Sequence, residues 1–127
     1  GSWYTTLAKP DFTPPDGVFA PVWIALYLMM AVAGWRVWRK AGFDGNGGVA
    51  MGLFGTQLAL NLLWPVLFFG LQRIDWALID IALLWLAIVA TVFAFWRIDG
   101  FAAVLLLPYL AWVSFAAALN HAIWRLN

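Results

Sequence analysis

Long apolar runs alternate with short polar segments along the chain after its first 17 residues. Each run has about the 20 residues that an α-helix needs to cross the hydrocarbon core of a bilayer. The four runs cover residues 18–38, 49–69, 76–96 and 101–124. None of them alternates with the two-residue period of a strand, so the pattern predicts transmembrane helices. Because the joints are short, consecutive helices are expected to be antiparallel.

Residues 1–17 differ from the rest of the chain, since they contain three prolines and three charged residues. This composition predicts an ordered, aromatic and proline-rich loop. A signal peptide would have a basic start followed by an apolar run, and this segment has neither. The chain is therefore predicted to be a single membrane domain of residues 1–127, an all-α polytopic bundle that shows four spans.

The composition narrows the class of protein further. Of the 127 residues, 65% are hydrophobic and 10% are charged, whereas a soluble domain carries about 25% charged residues. The formal net charge of +1 gives no electrostatic basis for binding nucleic acid. There is no cysteine and only one histidine, so no disulfide and no metal site are predicted. Lysines and arginines are divided almost evenly between the two sides, so the positive-inside rule does not decide the topology.

Tryptophan is unusually abundant. Ten tryptophans exceed what the aromatic belts at the two membrane interfaces require. Residues three or four positions apart share a helix face, and each predicted helix has one face of aromatic, small or polar residues. These faces carry Trp23 and Tyr27, then Asn61 and Trp64, then Asp80, then Trp112, Ala116 and Asn120. They indicate either interhelical packing with hydrogen bonds or an aromatic pocket for a flat, large, apolar ligand.

Two further patterns leave alternatives open. Gly48 and Gly52, and likewise Gly55 and Ala59, are four residues apart, a spacing typical of close helix contacts, either within the bundle or across a dimer. Asp80 is either a residue of the helix start, favoured there by the helix dipole, or a carboxyl facing the bundle interior. The sequence contains no nucleophile–base pair, paired carboxylates or phosphate-binding loop, so we predict no catalytic residue and no required cofactor.

Several motifs follow one another along the whole chain. The first runs from Trp3-Tyr4 through Lys9-Pro10 to Pro14-Pro15, and Pro21-Val22-Trp23 follows it. The later motifs are Leu60-Asn61-x-x-Trp64, Pro108-Tyr109-x-x-Trp112 and Leu119-Asn120 with Trp124 and Asn127. In order and spacing, these motifs resemble the translocator protein family, also called tryptophan-rich sensory proteins or peripheral benzodiazepine receptors.

The resemblance implies a bundle of five transmembrane helices, usually a homodimer, whose first helix precedes the Trp-Tyr loop. We therefore expect this chain to lack that first helix. The family binds porphyrins such as protoporphyrin IX, and its bacterial members are linked to the regulation of tetrapyrrole and carotenoid synthesis. Its ligand-binding positions correspond to Tyr4, Trp23, Tyr27, Asn61, Trp64, Trp112 and Ala116. The tyrosine of the animal cholesterol-recognition pattern is absent from residues 119–125, so cholesterol binding is not expected.

The leading hypothesis is a porphyrin-binding membrane receptor or transporter that is not an enzyme. Its expected partners are a tetrapyrrole ligand, membrane lipid and a second copy of the chain. One alternative is an enzyme that degrades porphyrins with light or oxygen through its tryptophans. Another is an accessory subunit of a larger membrane assembly, such as a pigment–protein complex. A bacterial membrane location is expected, and the sequence does not distinguish the inner from the outer membrane.

Overall fold

The computed structural model describes residues 2–127, which form α-helices joined by short turns, with no strand among them. A 3₁₀ turn at Asp16–Val18 leads into the second helix, and a π-helical turn at Val66–Gly70 follows the third. The helices are α1 (Ser2–Thr5), α2 (Phe19–Ala41), α3 (Asn46–Pro65), α4 (Ile74–Trp96) and α5 (Gly100–Leu126). Helices α2 to α5 are long and apolar enough to cross a membrane. The predicted all-α polytopic membrane fold is confirmed.

The helix ends differ from the predicted ranges for local reasons. Helix α2 continues to Ala41 instead of ending at 38, and Gly42 then takes a positive φ of 64° that ends the helix. Helix α3 begins at Asn46 instead of 49, after Gly45 with φ of 55°. The first segment was predicted as a loop throughout, yet it contains the single turn α1.

The four long helices form a ring in which each one packs against two neighbours. Helix α2 contacts α3 and α5, and α4 contacts the same two helices. The buried positions of α4 recur at helical spacing, and the opposite side of that helix stays uncovered. The exposed large apolar side chains include Ile24, Leu28, Ile79, Leu83, Leu86 and Phe93. Such a surface suits contact with lipid rather than with water.

A closely packed core fills the half of the bundle that lies away from the N-terminal loop. Gly34 of α2 allows the ring of Phe54 from α3 to approach, since an added Cβ would lie 3.0 Å from that ring. Phe54 in turn stacks on Phe95 of α4, with ring centroids 5.6 Å apart. The absence of a side chain at Gly34 therefore brings α2 and α3 together at this level.

Asp99 connects two helices at this same end of the bundle. Its buried carboxylate caps α5 by accepting hydrogen bonds from the backbone N–H groups of Phe101 and Ala102. It also accepts from Arg36 Nε at 2.8 Å and lies 3.3 Å from Lys40 Nζ. The Arg36 guanidinium holds the pKa of Asp99 down at about 2. The last turns of α2 are thus fastened to the start of α5.

Candidate functional site

A cavity of about 450 Å³ occupies the half of the bundle that lies next to the N-terminal loop. The first half of α2, the end of α3, part of α4 and the second half of α5 surround it. The volume lies within the range of about 300–1,000 Å³ that is common for small-molecule sites. The lining is mostly apolar and consists of Tyr4, Asp16, Phe19, Trp23, Tyr27, Asn61, Trp64, Pro65, Phe68, Phe69, Ile81, Leu84, Trp112, Val113, Ala116, Leu119, Asn120 and Ile123.

One wall is built from aromatic rings of α2 and α5. Phe19, Trp23 and Tyr27 are four residues apart and share one face of α2. The rings of Trp23 and Trp112 meet edge to face, with centroids 6.4 Å apart and planes at 90°. Phe19 also packs edge to face on Trp112 at 5.9 Å. These contacts hold the indoles in defined orientations without filling the space beside them.

The end of α3 supplies a second aromatic wall. Trp64 stacks on Phe68 at 4.9 Å and meets Phe69 edge to face at 5.9 Å. Pro65 lies between them in sequence, and the π-helical turn Val66–Gly70 directly follows it. Such an irregular turn is a common feature of helices near functional sites. It brings consecutive rings, Phe68 and Phe69, to the same wall.

Asn120 fixes this second wall to the other helices. Its Oδ1 accepts a hydrogen bond from Trp64 Nε1 at 2.9 Å. Its Nδ2 donates to the backbone carbonyl of Ile74 at 3.2 Å. The amide of one α5 residue therefore connects α3 with the start of α4 beside the cavity.

A chain of hydrogen bonds leads from the cavity into the core. The Tyr27 hydroxyl donates to Asn61 Oδ1, and Asn61 Nδ2 donates to the Tyr109 hydroxyl at 2.8 Å. Tyr109 in turn donates to Gln57 Oε1 at 2.6 Å, and Gln57 Nε2 lies 3.9 Å from the sulfur of Met30. Within a membrane, polar groups need partners inside the protein. These hydrogen bonds give each polar side chain a partner within the protein, and they connect α2, α3 and α5.

Two buried polar side chains in this part of the bundle lack a hydrogen-bond partner among the described residues. Trp112 Nε1 belongs to a residue that lines the cavity. The carboxyl of Asp80 is buried on α4, 3% exposed, and does not belong to the lining. Asp80 therefore faces the bundle interior, as one of the two interpretations of this residue predicted. Trp112 offers a free donor that an acceptor on a ligand would satisfy.

The N-terminal loop covers one end of the cavity. Tyr4 packs against Phe69 at 5.7 Å and Phe68 at 6.2 Å. The ammonium of Lys9 lies 4.6 Å from the centre of the Tyr4 ring. Burial raises the pKa of Tyr4, and the nearby negative charge of Asp16 raises it further.

The end of α5 holds this loop in place. Asn127 exchanges two hydrogen bonds with the backbone of Ala8, whose N–H donates to Oδ1 at 3.2 Å and whose carbonyl accepts from Nδ2 at 2.9 Å. Phe12 also packs edge to face on Phe115 of α5 at 6.0 Å. The loop is therefore attached to α5 at two points, in addition to its contacts with Phe68 and Phe69 of the π-helical turn.

The structure brings all seven predicted ligand contacts to this cavity. They come from the loop, α2, α3 and α5, and they are Tyr4, Trp23, Tyr27, Asn61, Trp64, Trp112 and Ala116. Their shared location is a structural fact, whereas their contact with a ligand stays a prediction.

The four small residues predicted to form helix or dimer contacts do not line the cavity, and they are Gly48, Gly52, Gly55 and Ala59. At Gly48 an added Cβ would lie 2.4 Å from the carbonyl oxygen of Phe43, so packing within the chain accounts for this glycine. Gly52 and Gly55 are exposed on α3, with no described atom within 4 Å of an added Cβ. Ala59 is exposed as well. A dimer contact through these three residues stays a prediction.

Reasoning from the sequence did not single out several residues of this region, among them Tyr109, Asp16 and Phe19. The Tyr109 hydroxyl lies at the centre of the hydrogen bonds that link Tyr27, Asn61 and Gln57. The sequence did contain a signal for this residue, because a hydroxyl within a membrane helix needs a hydrogen-bond partner. Asp16 and Phe19 line the cavity although they belong to the entry into α2. Their direction depends on the path of the loop, which residue spacing alone does not reveal.

Comparisons with known proteins agree with the sequence motifs. The family model of the TspO/MBR family matches residues 1–125. The chain is 50% identical over 131 residues to the tryptophan-rich protein TspO of Chlorobaculum tepidum, a match that covers 99% of this chain and 80% of that protein. It is 44% identical over 126 residues to the translocator protein of Sus scrofa, covering 98% and 75%. It is 42% identical over 125 residues to the tryptophan-rich sensory protein of Cereibacter sphaeroides, covering 98% and 77%.

These relatives carry the names of translocator and sensory proteins rather than of enzymes. The family match extends over nearly the whole chain, and the identity to the first two of these relatives is 50% and 44%. The resemblance found in the motifs is thereby confirmed, and the chain belongs to the TspO/MBR family.

Proposed function

We propose that this protein is a membrane receptor or transporter that binds porphyrins of the protoporphyrin IX type in the aromatic cavity, and that it serves the regulation of tetrapyrrole and carotenoid metabolism. The observation that carries this proposal is the convergence of indole and phenyl rings from α2, α3, α5 and the loop on one cavity. A flat, apolar macrocycle gains from ring contacts beyond the burial of its area. The names of the relatives fit a role in sensing or translocation.

The polar groups of the cavity favour a ligand that has atoms able to form hydrogen bonds. Most ligand sites combine an apolar lining with a few placed polar groups that set the orientation. Here Tyr27 and Asn61 hold one another, and Asn120 holds Trp64. Trp112 Nε1 has no such partner among residues 2–127, which the structure describes, and we propose that it donates to an acceptor on the ligand.

Titration with protoporphyrin IX in the dark tests the proposal. The purified protein in lipid nanodiscs should show saturable quenching of tryptophan fluorescence and a matching shift of the porphyrin absorbance band. Trp23→Ala and Trp112→Ala should each weaken binding about tenfold, because each removes a large ring from the wall and about 1.4 kcal/mol of contact. Trp112→Phe keeps an aromatic ring at this position and removes the indole N–H group. Weaker binding by this variant, once it is shown to be folded, reports the loss of the hydrogen-bond donor.

Trp35→Ala is the matched control. Trp35 is on the same helix as Trp23, but it is 52% exposed and does not line the cavity. Its replacement should leave the dissociation constant unchanged. Absence of saturable binding, or unchanged affinity in both cavity variants, would refute the proposal. Porphyrin extracted after illumination should be intact, and protein-dependent breakdown would favour an enzyme instead.

A further inference from the structure

The interior of the cavity offers no cation to a ligand, since no described lysine, arginine or histidine belongs to its lining. Trp112 Nε1 is a buried donor without a described partner, but it carries no charge. The amides of Asn61 and Asn120 are already bonded to other groups of the protein. Burying an ionised carboxylate is costly unless a cation or several hydrogen bonds compensate for the lost water. A carboxylate of a ligand is therefore better placed at an end of the cavity than deep inside it.

The end that the loop covers is the part of the cavity that suits such a group. The opposite half of the bundle is the closely packed core around Phe54 and Phe95. The outer faces of the helices are apolar and suit contact with lipid. The loop, in contrast, carries the charged side chains Lys9, Asp11 and Asp16. A ligand with an apolar body and a charged edge would therefore direct that edge toward the loop.

Lys9 is a cation of this end that contacts the lining. Its ammonium lies 4.6 Å from the centre of the Tyr4 ring, and Tyr4 lines the cavity. Lys9 is half-buried and forms no ion pair with a described residue, and its hydrogen bond to the carbonyl of Leu7 is long, at 3.4 Å. An ammonium has three donors at the end of a flexible stem. Lys9 therefore keeps donors and a positive charge available to a ligand.

The backbone beside Lys9 is held in place. Ala8 exchanges two hydrogen bonds with Asn127 at the end of α5. Leu7 packs against the apolar cluster that contains Phe68 of the π-helical turn. The stem of Lys9 therefore starts from a fixed point between the end of α5 and this turn, which lowers the entropy cost of placing its ammonium.

The carboxylate of Asp16 belongs to a different side of the covered end. Asp16 lies in the 3₁₀ turn that leads into α2, whereas the loop at Lys9 is bound to the end of α5. Asp16 is exposed, and no ion pair joins it to Lys9 or to another described cation. The covered end thus carries two separate, opposite charges, and a ligand carboxylate is attracted to the side of Lys9.

We infer that Lys9 pairs with a carboxylate at the edge of the bound tetrapyrrole, so that the carboxylate edge of the macrocycle faces the loop and the apolar edge lies against the aromatic walls. The inference rests on the proposed function, since it names the residue and the orientation by which a porphyrin diacid is held in the same cavity. Protoporphyrin IX carries both carboxylates along one edge, which matches a cavity with one charged end. The aromatic walls bind charged and uncharged macrocycles alike, whereas Lys9 adds affinity for the charged ones.

A comparison of two ligands tests this inference. The ligands are protoporphyrin IX, a diacid, and its dimethyl ester, and each is titrated in nanodiscs of uncharged phosphatidylcholine. The ester partitions more strongly into lipid, so the decisive quantity is the ratio of the two dissociation constants in each protein. Lys9→Gln should weaken diacid binding by about three- to fivefold, as expected for the loss of one partly exposed ion pair. It should leave ester binding unchanged, which also shows that the variant is folded.

Two further variants separate the ion pair from other effects. Lys9→Arg keeps the positive charge and should keep the ratio of the unchanged chain. Arg125→Gln is the matched control for net charge, because Arg125 is exposed near the end of α5 and does not line the cavity. Its variant should also keep the ratio, and diacid affinity in the unchanged chain should fall as salt screens the pair.

The outcomes distinguish this inference from the proposed function. If Lys9→Gln leaves the ratio unchanged or weakens both ligands equally, or if Arg125→Gln changes the ratio as much, the inference fails and the proposed function stands. If neither ligand binds the unchanged chain saturably, the proposed function fails and the inference fails with it.

Discussion

Removal of one hydroxyl at Tyr109 should disturb both the stability and the cavity. Tyr109 is fully buried, and its hydroxyl accepts from Asn61 and donates to Gln57. Tyr109→Phe keeps the ring and removes only the oxygen. It leaves Asn61 Nδ2 and Gln57 Oε1 without their partner, and both side chains are buried.

The expected loss follows from these two groups. A buried polar group that loses its partner costs about 1–3 kcal/mol, and hydrogen bonds within membrane bundles average about 0.6 kcal/mol with a maximum near 1.7 kcal/mol. Two groups therefore predict a loss of about 2 kcal/mol in the free energy of unfolding. Tyr27→Phe should cost less, about 0.5 kcal/mol, because Tyr27 is partly exposed and donates one bond.

Reversible unfolding in mixed micelles with increasing denaturing detergent measures this difference. Gln57→Leu removes one of the two groups that Tyr109→Phe leaves without a partner. The double variant should therefore lose less stability than the sum of the losses in the two single variants. Equal stability of Tyr109→Phe and the unchanged chain would refute the reasoning, as would a larger loss in Tyr27→Phe. Strict additivity of the two single changes would show that the hydroxyl and the Gln57 amide do not interact.

Two further predictions concern carboxyl groups. Asp80→Val should raise the free energy of unfolding by about 1–2 kcal/mol, because it removes a buried carboxyl without a partner; a lower melting temperature than that of the unchanged chain would contradict this. The pKa of Asp99 falls from its ordinary value of 3.8 to about 2 in the folded protein, so its stabilisation is complete above about pH 4 and is lost as the pH falls from about 4 to 2. Melting temperatures measured from pH 7 to 2 should show this decline, and Asp99→Asn, which keeps the helix cap, should remove that part of it.

The sequence predicted the membrane helices because each span is a long apolar run between polar joints. Helix spacing also singled out six of the seven predicted residues that line the cavity, since Trp23 and Tyr27, or Asn61 and Trp64, follow the spacing of a helix face. In a membrane bundle, lipid covers the outer sides of the helices, so helix faces rich in aromatic rings are expected to turn inward. The family motifs added Tyr4, which no helix periodicity could identify.

Other features depend on contacts that helix spacing does not determine. The ring order that places α2 beside α5 arises from the packing of all four helices together. The position of Asp16 beside the cavity depends on the path of the loop, which Asn127 holds from the far end of the chain. The neighbouring rings Phe68 and Phe69 both line the cavity from the π-helical turn that follows Pro65, an irregularity that the apolar pattern does not reveal.

The ion pair between Arg36 and Asp99 fastens the last turns of α2 to the start of α5, so any tilt of α2 would displace its other end most. Trp23 lies 13 residues before Arg36 on the same helix, which corresponds to about 20 Å along its axis. A rotation of α2 by about 5° about this fastened end displaces Trp23 by about 2 Å and leaves the pair almost unmoved. Such a rotation would change the distance between Trp23 and Trp112 far more than the geometry of the ion pair. The width of the cavity beside α2 is therefore the dimension that a tilt of this helix would alter most.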